Sequence, residues 1–256
     1  MCTTTLPCLT IQLITIVSIL SAIVLTYLAF RKPQVLLLVL PLALFSFEAL
    51  ARAGGGGGGG RCGFLCVILS PFILIYMAYV SYRINSKNKG IKEALAIMAQ
   101  REPQWNEDNL INTANQIFRD LQTAWGKHDL ETIKNHLHPN LYPEWETQIQ
   151  QQKLRNERNV MVGLSVNNIR FVNVKNMKDN DHDEFTVCID AEAKDQILSN
   201  IQIVKAKFEK FREFWTFDWE NGKWTVREVT QSDGWKKYVY SPIVDEMNRG
   251  ILNRKR

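Results

Sequence analysis

The chain has 256 residues, with 31 Lys and Arg against 26 Asp and Glu, for a formal net charge of +5. That length accommodates one folded domain plus a further segment. The charge is uneven: residues 104–256 carry 22 Lys/Arg and 23 Asp/Glu, a net of −1, whereas the residues before 104 carry 9 against 3, a net of +6. A nearly neutral domain gives little support to nucleic-acid binding, which usually goes with a clustered basic face, so no DNA partner is expected and RNA is disfavoured. Five cysteines, Cys2, Cys8, Cys62, Cys66 and Cys188, include no CxxC pair. This excludes a disulfide scaffold and a cysteine zinc site.

Three apolar runs come first. Leu9–Phe30 is uncharged over 22 residues, long enough to cross a bilayer as a helix. The second, within 34–50, follows Arg31-Lys32 and precedes Ala51-Arg52-Ala53. It reads as a signal-peptide-like segment or a second transmembrane segment. Residues 1–53 thus form an apolar N-terminal region, cleaved near its end or beginning at a start codon set too early. Residues 54–62 form a glycine-rich linker; the seven glycines Gly54–Gly60 bury nothing and stay flexible. They are not a phosphate loop, because no Gly-Lys-Ser/Thr follows. The third run, 63–82, is a transmembrane helix with Pro71 inside. Arg31-Lys32 after the first run and Arg83, Lys87, Lys89 and Lys92 after the third put the C-terminal domain in the cytoplasm.

Residues 83–103 form a basic juxtamembrane segment. Ile91, Leu95 and Met98 recur at helical spacing, which suits either an interfacial helix or a solvated stalk. Arg83, Lys87, Lys89, Lys92 and Arg101 are the candidate contacts to anionic headgroups; the same basic flank is explained equally by topology alone.

A domain is expected over 104–232. Leu110, Ile111, Ala114, Ile117, Phe118, Leu121 and Trp125 make one helical face, with Asp108 as N-cap and Gly126 as stop. Short helices follow at about 130–137, capped by Asp129, and 141–155, with Leu141, Trp145, Ile149 and Leu154 inward. The period then changes to two. Strands are expected at 166–174, 184–193, 208–219 and 224–230, the last two joined through Asn221-Gly222, a pair suited to a type I′ hairpin turn. A C-terminal helical extension, 233–256, contains a helix over Pro242–Leu252. Helices first and strands second give an α+β fold: about three helices on a curved antiparallel sheet of about four strands, the nuclear-transport-factor-two-like (NTF2-like) or cystatin-like architecture.

Several segments carry a family resemblance. Ala124-Trp125-Gly126-Lys127-His128-Asp129-Leu130-Glu131 and Leu137-His138-Pro139-Asn140-Leu141-Tyr142 come first. Arg158-Asn159-Val160 enters the first strand. Phe214-Trp215-Thr216-Phe217 and Gly222-Lys223-Trp224-Thr225-Val226 complete the set. In this order they resemble the Tim forty-four-like domain family, named for subunit 44 of the mitochondrial inner-membrane import translocase, over residues 107–231. The layout resembles the bacterial membrane-anchored branch, although Leu9–Phe30 departs from it and no long chaperone-recruiting region is present. The resemblance implies a non-enzymatic domain with an apolar pocket at the bacterial inner membrane. Its implied partners are bilayer lipid and membrane proteins or translocation machinery.

Neither catalytic, cofactor nor metal residues are assigned. His128, His136 and His138 read as surface histidines. Asp179-Asn180-Asp181-His182-Asp183-Glu184 lacks the glycine and spaced glutamate of a calcium loop and reads as a solvated loop. Phe211, Phe214, Trp215, Phe217, Trp219 and Trp224 are candidate pocket residues, with Trp215 and Phe217 on one face of their strand and Phe214 on the other. An adaptor or scaffold is the leading function. An isomerase-type enzyme, which needs a carboxylate or Tyr inside the cone, and a ribosome or RNA contact are the alternatives. Oligomeric state is left open.

Overall fold

The structure, a computed structural model, describes residues 62–200 and 202–248, with side chains from Ile73 on. The expected segments 9–30 and 34–50, the glycine run and the C-terminal basic tail lie outside the described residues. Contacts divide the chain into two units, Met1–Met77 and Ala78–Arg256. Among the described residues no helix is long and apolar enough to cross a membrane.

The second unit is α+β. Helix α1 spans Cys62–Met98 and enters the unit at Ala78. After a 3₁₀ turn at Pro103–Trp105 come α2, Glu107–Lys127, α3, Leu130–His136, and α4, Tyr142–Leu154. Four long strands follow: β1, Glu157–Asn176; β2, Glu184–Ser199; β3, Gln202–Glu220; β4, Lys223–Gln231. The short helix α5, Trp235–Val239, and the two-residue strand β5, Val244–Asp245, end the described fold. The sheet order is β4-β3-β2-β1-β5, antiparallel except for β1 with β5. Register shifts in β1 on both sides of Val166 and after Phe171 bend that strand, as bulges do.

Local chemistry sets the boundaries. The side chain of Asn106, not Asp108, caps α2 by accepting from Asn109 N–H at 3.0 Å, and His128 ends the helix in the left-handed region, φ 56°. Gly126 is buried inside the helix, where a Cβ would lie 3.4 Å from the Asn159 carbonyl. It serves close packing on β1 rather than helix termination. Asp129 caps α3 through Thr132 N–H, 3.1 Å, and Thr132 hydroxyl, 2.7 Å. Asn221 and Gly222 both take positive φ in the β3–β4 turn. In α4, Ile149 points inward, but Leu154 is 85% exposed, against expectation, because the helix ends there and the chain turns into β1. Residues 242–248 do not form the expected α-helix, whose remainder, 249–252, lies outside the described residues: Val244 pairs with Lys175 and Glu246–Asn248 is a 3₁₀ turn. Ile243 packs on the core there, so sheet pairing and burial override helical spacing.

Apolar side chains form two clusters on opposite faces of the sheet. The larger joins α2, α3 and α4 to Phe171, Phe185, Val187, Trp215, Phe217 and Val226. The smaller joins Val172, Cys188 and Phe214 to Trp235, Tyr238 and Val239. Helix α1 belongs to both: Ile91, Ala94, Leu95 and Met98 enter the first, and Val80 and Ile84 the second. It crosses the β1 edge, where Asn88 Oδ1 accepts from Phe171 N–H at 2.8 Å and Asn85 Oδ1 from Arg170 at 2.8 Å.

The juxtamembrane apolar face therefore lies inside the domain and is neither a solvated stalk nor a face free for lipid. Leu95 is fully buried, so Leu95→Ala is expected to lower the unfolding free energy by ~2–5 kcal/mol. Glu93→Ala, at an exposed position of the same helix, is expected to change it by less than about 0.5 kcal/mol. Urea titration of the detergent-purified chain checks both.

Candidate functional site

The aromatic pocket candidates are largely packed against other rings of the domain rather than lining an opening. Phe217 stacks on Phe185 at 4.7 Å, and Trp224 meets Phe185 edge-on at 4.7 Å, Trp219 at 5.0 Å and Trp105 at 5.4 Å. Trp215 lies between Phe118, 5.2 Å, and Trp145, 6.3 Å, and its Nε1 donates to Glu213 at 3.0 Å. Phe214 lies on the opposite face, stacked on Tyr238 at 5.4 Å. Phe211 and Trp219 are half-buried at the edge of the larger cluster. Rings at these separations contribute through burial and edge-to-face contact, so truncating Trp215 removes core.

The basic residues expected at the membrane surface mostly have partners within the domain. The Arg83 guanidinium lies 4.7 Å from the Tyr240 ring and 5.9 Å from that of Tyr79. Lys87 donates to the Ser241 carbonyl, Lys92 pairs with Glu107 at 2.5 Å, and Arg101 reaches the Met247 carbonyl at 3.3 Å. Lys89 is exposed. The histidines stay apart: His128 bonds Gln152 at 3.1 Å, His136 faces Asp120 at 3.4 Å, and His138 Nδ1 accepts from Asn140 N–H at 3.2 Å.

Openings lie on the domain surface among the described residues. One, of about 460 Å³, is lined by His128, Lys153, Asn156, Glu157, Arg158, Leu198 and Asn200. It lies where the α4–β1 turn meets the end of the β2–β3 hairpin, and Asn200 N–H bonds the Asn156 carbonyl at 3.3 Å. Another, of about 250 Å³, is lined by His138, Asp181, Asp218, Trp219, Glu220 and Asn221. Sequence reasoning missed the first opening. Its cations, Lys153 and Arg158, lie in one segment, and the β1–β2 register brings Leu198 and Asn200 beside them.

The acidic segment 179–184 is not wholly solvated. Asp179 and Asp181 are exposed, but Asp183 and Glu184 are buried. Glu184 accepts from Asn173 at 2.7 Å and pairs with Lys175, 2.9 Å, and Arg227, 3.1 Å. Asp183 accepts from Met177 N–H at 2.8 Å. Burial pushes its carboxyl up to about 7, with Glu102 and Asp179 adding to the rise and the Met177 and Gln104 hydrogen bonds opposing it. β2 begins at Glu184, as expected, and the buried Asp183 just before it closes the 3₁₀ turn Asn180–His182.

This carboxyl has a definite linkage sign. An unfolded Asp ionises near pH 4, so between about pH 4 and about 7 the folded chain holds a proton that the unfolded chain has lost. Its contribution is present below that window and is lost as pH rises through it, by roughly 4 kcal/mol at most. Asp183→Asn cannot ionise. The stability difference between variant and parent is expected to move in favour of the variant from pH 4 to 8, read as urea midpoints. Burial holds His136 below its ordinary value, but His136 is common to both proteins and cancels. Parallel profiles would contradict the assignment.

The fold can now be set beside known proteins. The intermembrane space region of the chloroplast protein ARC6 is similar at 13% identity and TM-score 0.37, over 47% of this chain and 94% of that one. No curated protein matches. The Tim44-like domain matches residues 91–231, more than half of the chain. Its match begins inside α1, at the first residue that enters the larger core. The chain belongs to the Tim44-like domain family.

Proposed function

We propose that the chain is a membrane-anchored adaptor or scaffold. In this reading residues 63–82 hold the Tim44-like domain at the bacterial inner membrane, on its cytoplasmic side. The domain binds lipid or membrane-protein partners in translocation or complex assembly. Family membership carries the reading, since Tim44-like domains are membrane-associated and translocation-related at the family level. Two features support it. The expected span runs straight into the domain: Val80, near its end, and Ile84, just after it, both lie in the smaller core. The exposed Ile73, Leu74, Tyr76, Met77, Tyr79 and Tyr82 on α1 suit the interfacial zone, where Tyr is enriched.

An isomerase-type enzyme would need a titratable group open to substrate. Asp183 is fully buried and lines neither opening; Asp218, also raised by burial, lines the smaller one but is paired with Arg227 at 3.3 Å. A ribosome or RNA contact is disfavoured by the domain's net charge of −1 over residues 104–256.

The test is made on native membranes. The chain is expected to stay in the pellet through alkaline carbonate, to resist protease added outside spheroplasts, and to crosslink to discrete membrane proteins. Release by carbonate, or digestion of the domain from outside, would overturn the anchor or its orientation. Membrane retention without any discrete crosslinked partner would leave lipid binding as the domain's role.

A further inference from the structure

The end of the domain formed by the α4–β1 turn and the β2–β3 hairpin differs chemically from the rest. Residues 153–162 and 194–210 together carry seven Lys/Arg against three Asp/Glu, whereas residues 104–256 as a whole are net −1. Of those acids, Glu157 is tied to Arg155 at 2.7 Å and Glu209 to Lys207 at 2.7 Å. Lys153 and Arg158, both exposed and both lining the 460 Å³ opening, form no ion pair among the described residues. Large apolar side chains stand out to solvent beside them: Leu154, Ile203, Val204 and Phe208.

Two ordinary explanations fall short. Lysines on an edge strand discourage pairing with other chains, and β4 pairs with β3 only over Glu213–Glu220, leaving residues 202–212 as an edge. That accounts for Lys205, Lys207 and Lys210 but not for exposed Ile203, Val204 and Phe208. A cation in the last turn of α4 complements the helix dipole, which accounts for Lys153 but not for Arg158 on β1 or for the opening between them.

The direction of α1 bears on what covers this end. Asn85 meets Arg170, Asn88 meets Phe171, and the side chain of Glu102 meets Asn176. The helix therefore runs parallel to β1, and going back toward Ala78 it leads toward the Glu157 end of that strand.

We propose that this end docks on an anionic phospholipid surface, with Lys153 and Arg158 holding a headgroup phosphate in the opening and Leu154, Ile203 and Val204 entering the interfacial layer. The inference rests on the membrane-anchored reading above and names its lipid contact. Cations beside apolar side chains match such a surface in charge and in polarity. The contact differs from the juxtamembrane residues, most of whose basic groups are engaged within the domain.

The test is hydrogen–deuterium exchange of the full chain in nanodiscs of phosphatidylcholine alone or with phosphatidylglycerol. Amides of residues 154–158 and 202–205 are expected to exchange about tenfold more slowly in the anionic discs only, a factor that two headgroup contacts supply. The protection is expected to fade at high salt. The double variant Lys153→Glu, Arg158→Glu is expected to lose it, while amides of Phe171, Val187 and Trp215 exchange as in the parent, which reports an intact fold. Equal exchange in both lipids, with the chain recovered in the discs, overturns this inference and leaves the anchor standing. A chain that never enters the discs overturns the anchor and the inference with it. Protection in neutral discs on adding inorganic phosphate alone marks a free-anion site and overturns the lipid assignment.

Discussion

Helix α1 closes a sheet that would otherwise have an open edge and two partly open faces. Its Ile91, Ala94, Leu95 and Met98 enter the core beneath the helices, and its Val80 and Ile84 enter the cluster behind the sheet. Between those groups Asn85 and Asn88 satisfy Arg170 and the Phe171 amide. Covering an edge with a helix removes unpaired backbone groups from water and from other chains. The buried Arg170, which also pairs with Asp190, needs the Asn85 partner, because a buried charge is tolerated only when its hydrogen bonds are met.

This arrangement changes the meaning of the juxtamembrane segment. A stalk would let the domain move independently of whatever precedes it, with basic residues available to lipid. Instead the segment is domain core on one side and ligand to the domain's C-terminal residues on the other, through Lys87 with Ser241 and Arg101 with Met247. Short helix α5 completes the back of the sheet, with Tyr238 on Phe214 and Trp235 against Tyr79. Exposed basic residues beside exposed apolar ones gather at the β2–β3 end, on residues 153–162 and 194–210.

Much of the fold was legible in local chemistry. The change of period from helical to alternating, the Asp129 cap and the Asn221-Gly222 turn each have a short-range cause, and each occurs as expected. So does the division of Phe214 from Trp215 and Phe217, because alternation along one strand needs no tertiary information. The destination of α1 was not legible: Ile91, Leu95 and Met98 make the same stripe whether they meet lipid, water-shielded partners or their own sheet. Strand lengths were underestimated because β2 and β3 run past the core, where exposed Lys194, Lys205 and Lys207 break the apolar pattern. The candidate site was the least legible part. Asp183 and Glu184 were hidden in an acidic run, and Lys153 meets Asn200 only through pairing of distant segments.

The account stands on α1 being part of the domain, and limited trypsin digestion of the detergent-purified chain tests that most directly. Proteolysis under native conditions reads the population of the open form. Lys87, Lys89 and Lys92 are expected to remain uncut by mass spectrometry until the whole domain unfolds. Early cleavage at these lysines that releases a folded fragment beginning at Glu93 would show that the segment is a tether, and would contradict the account.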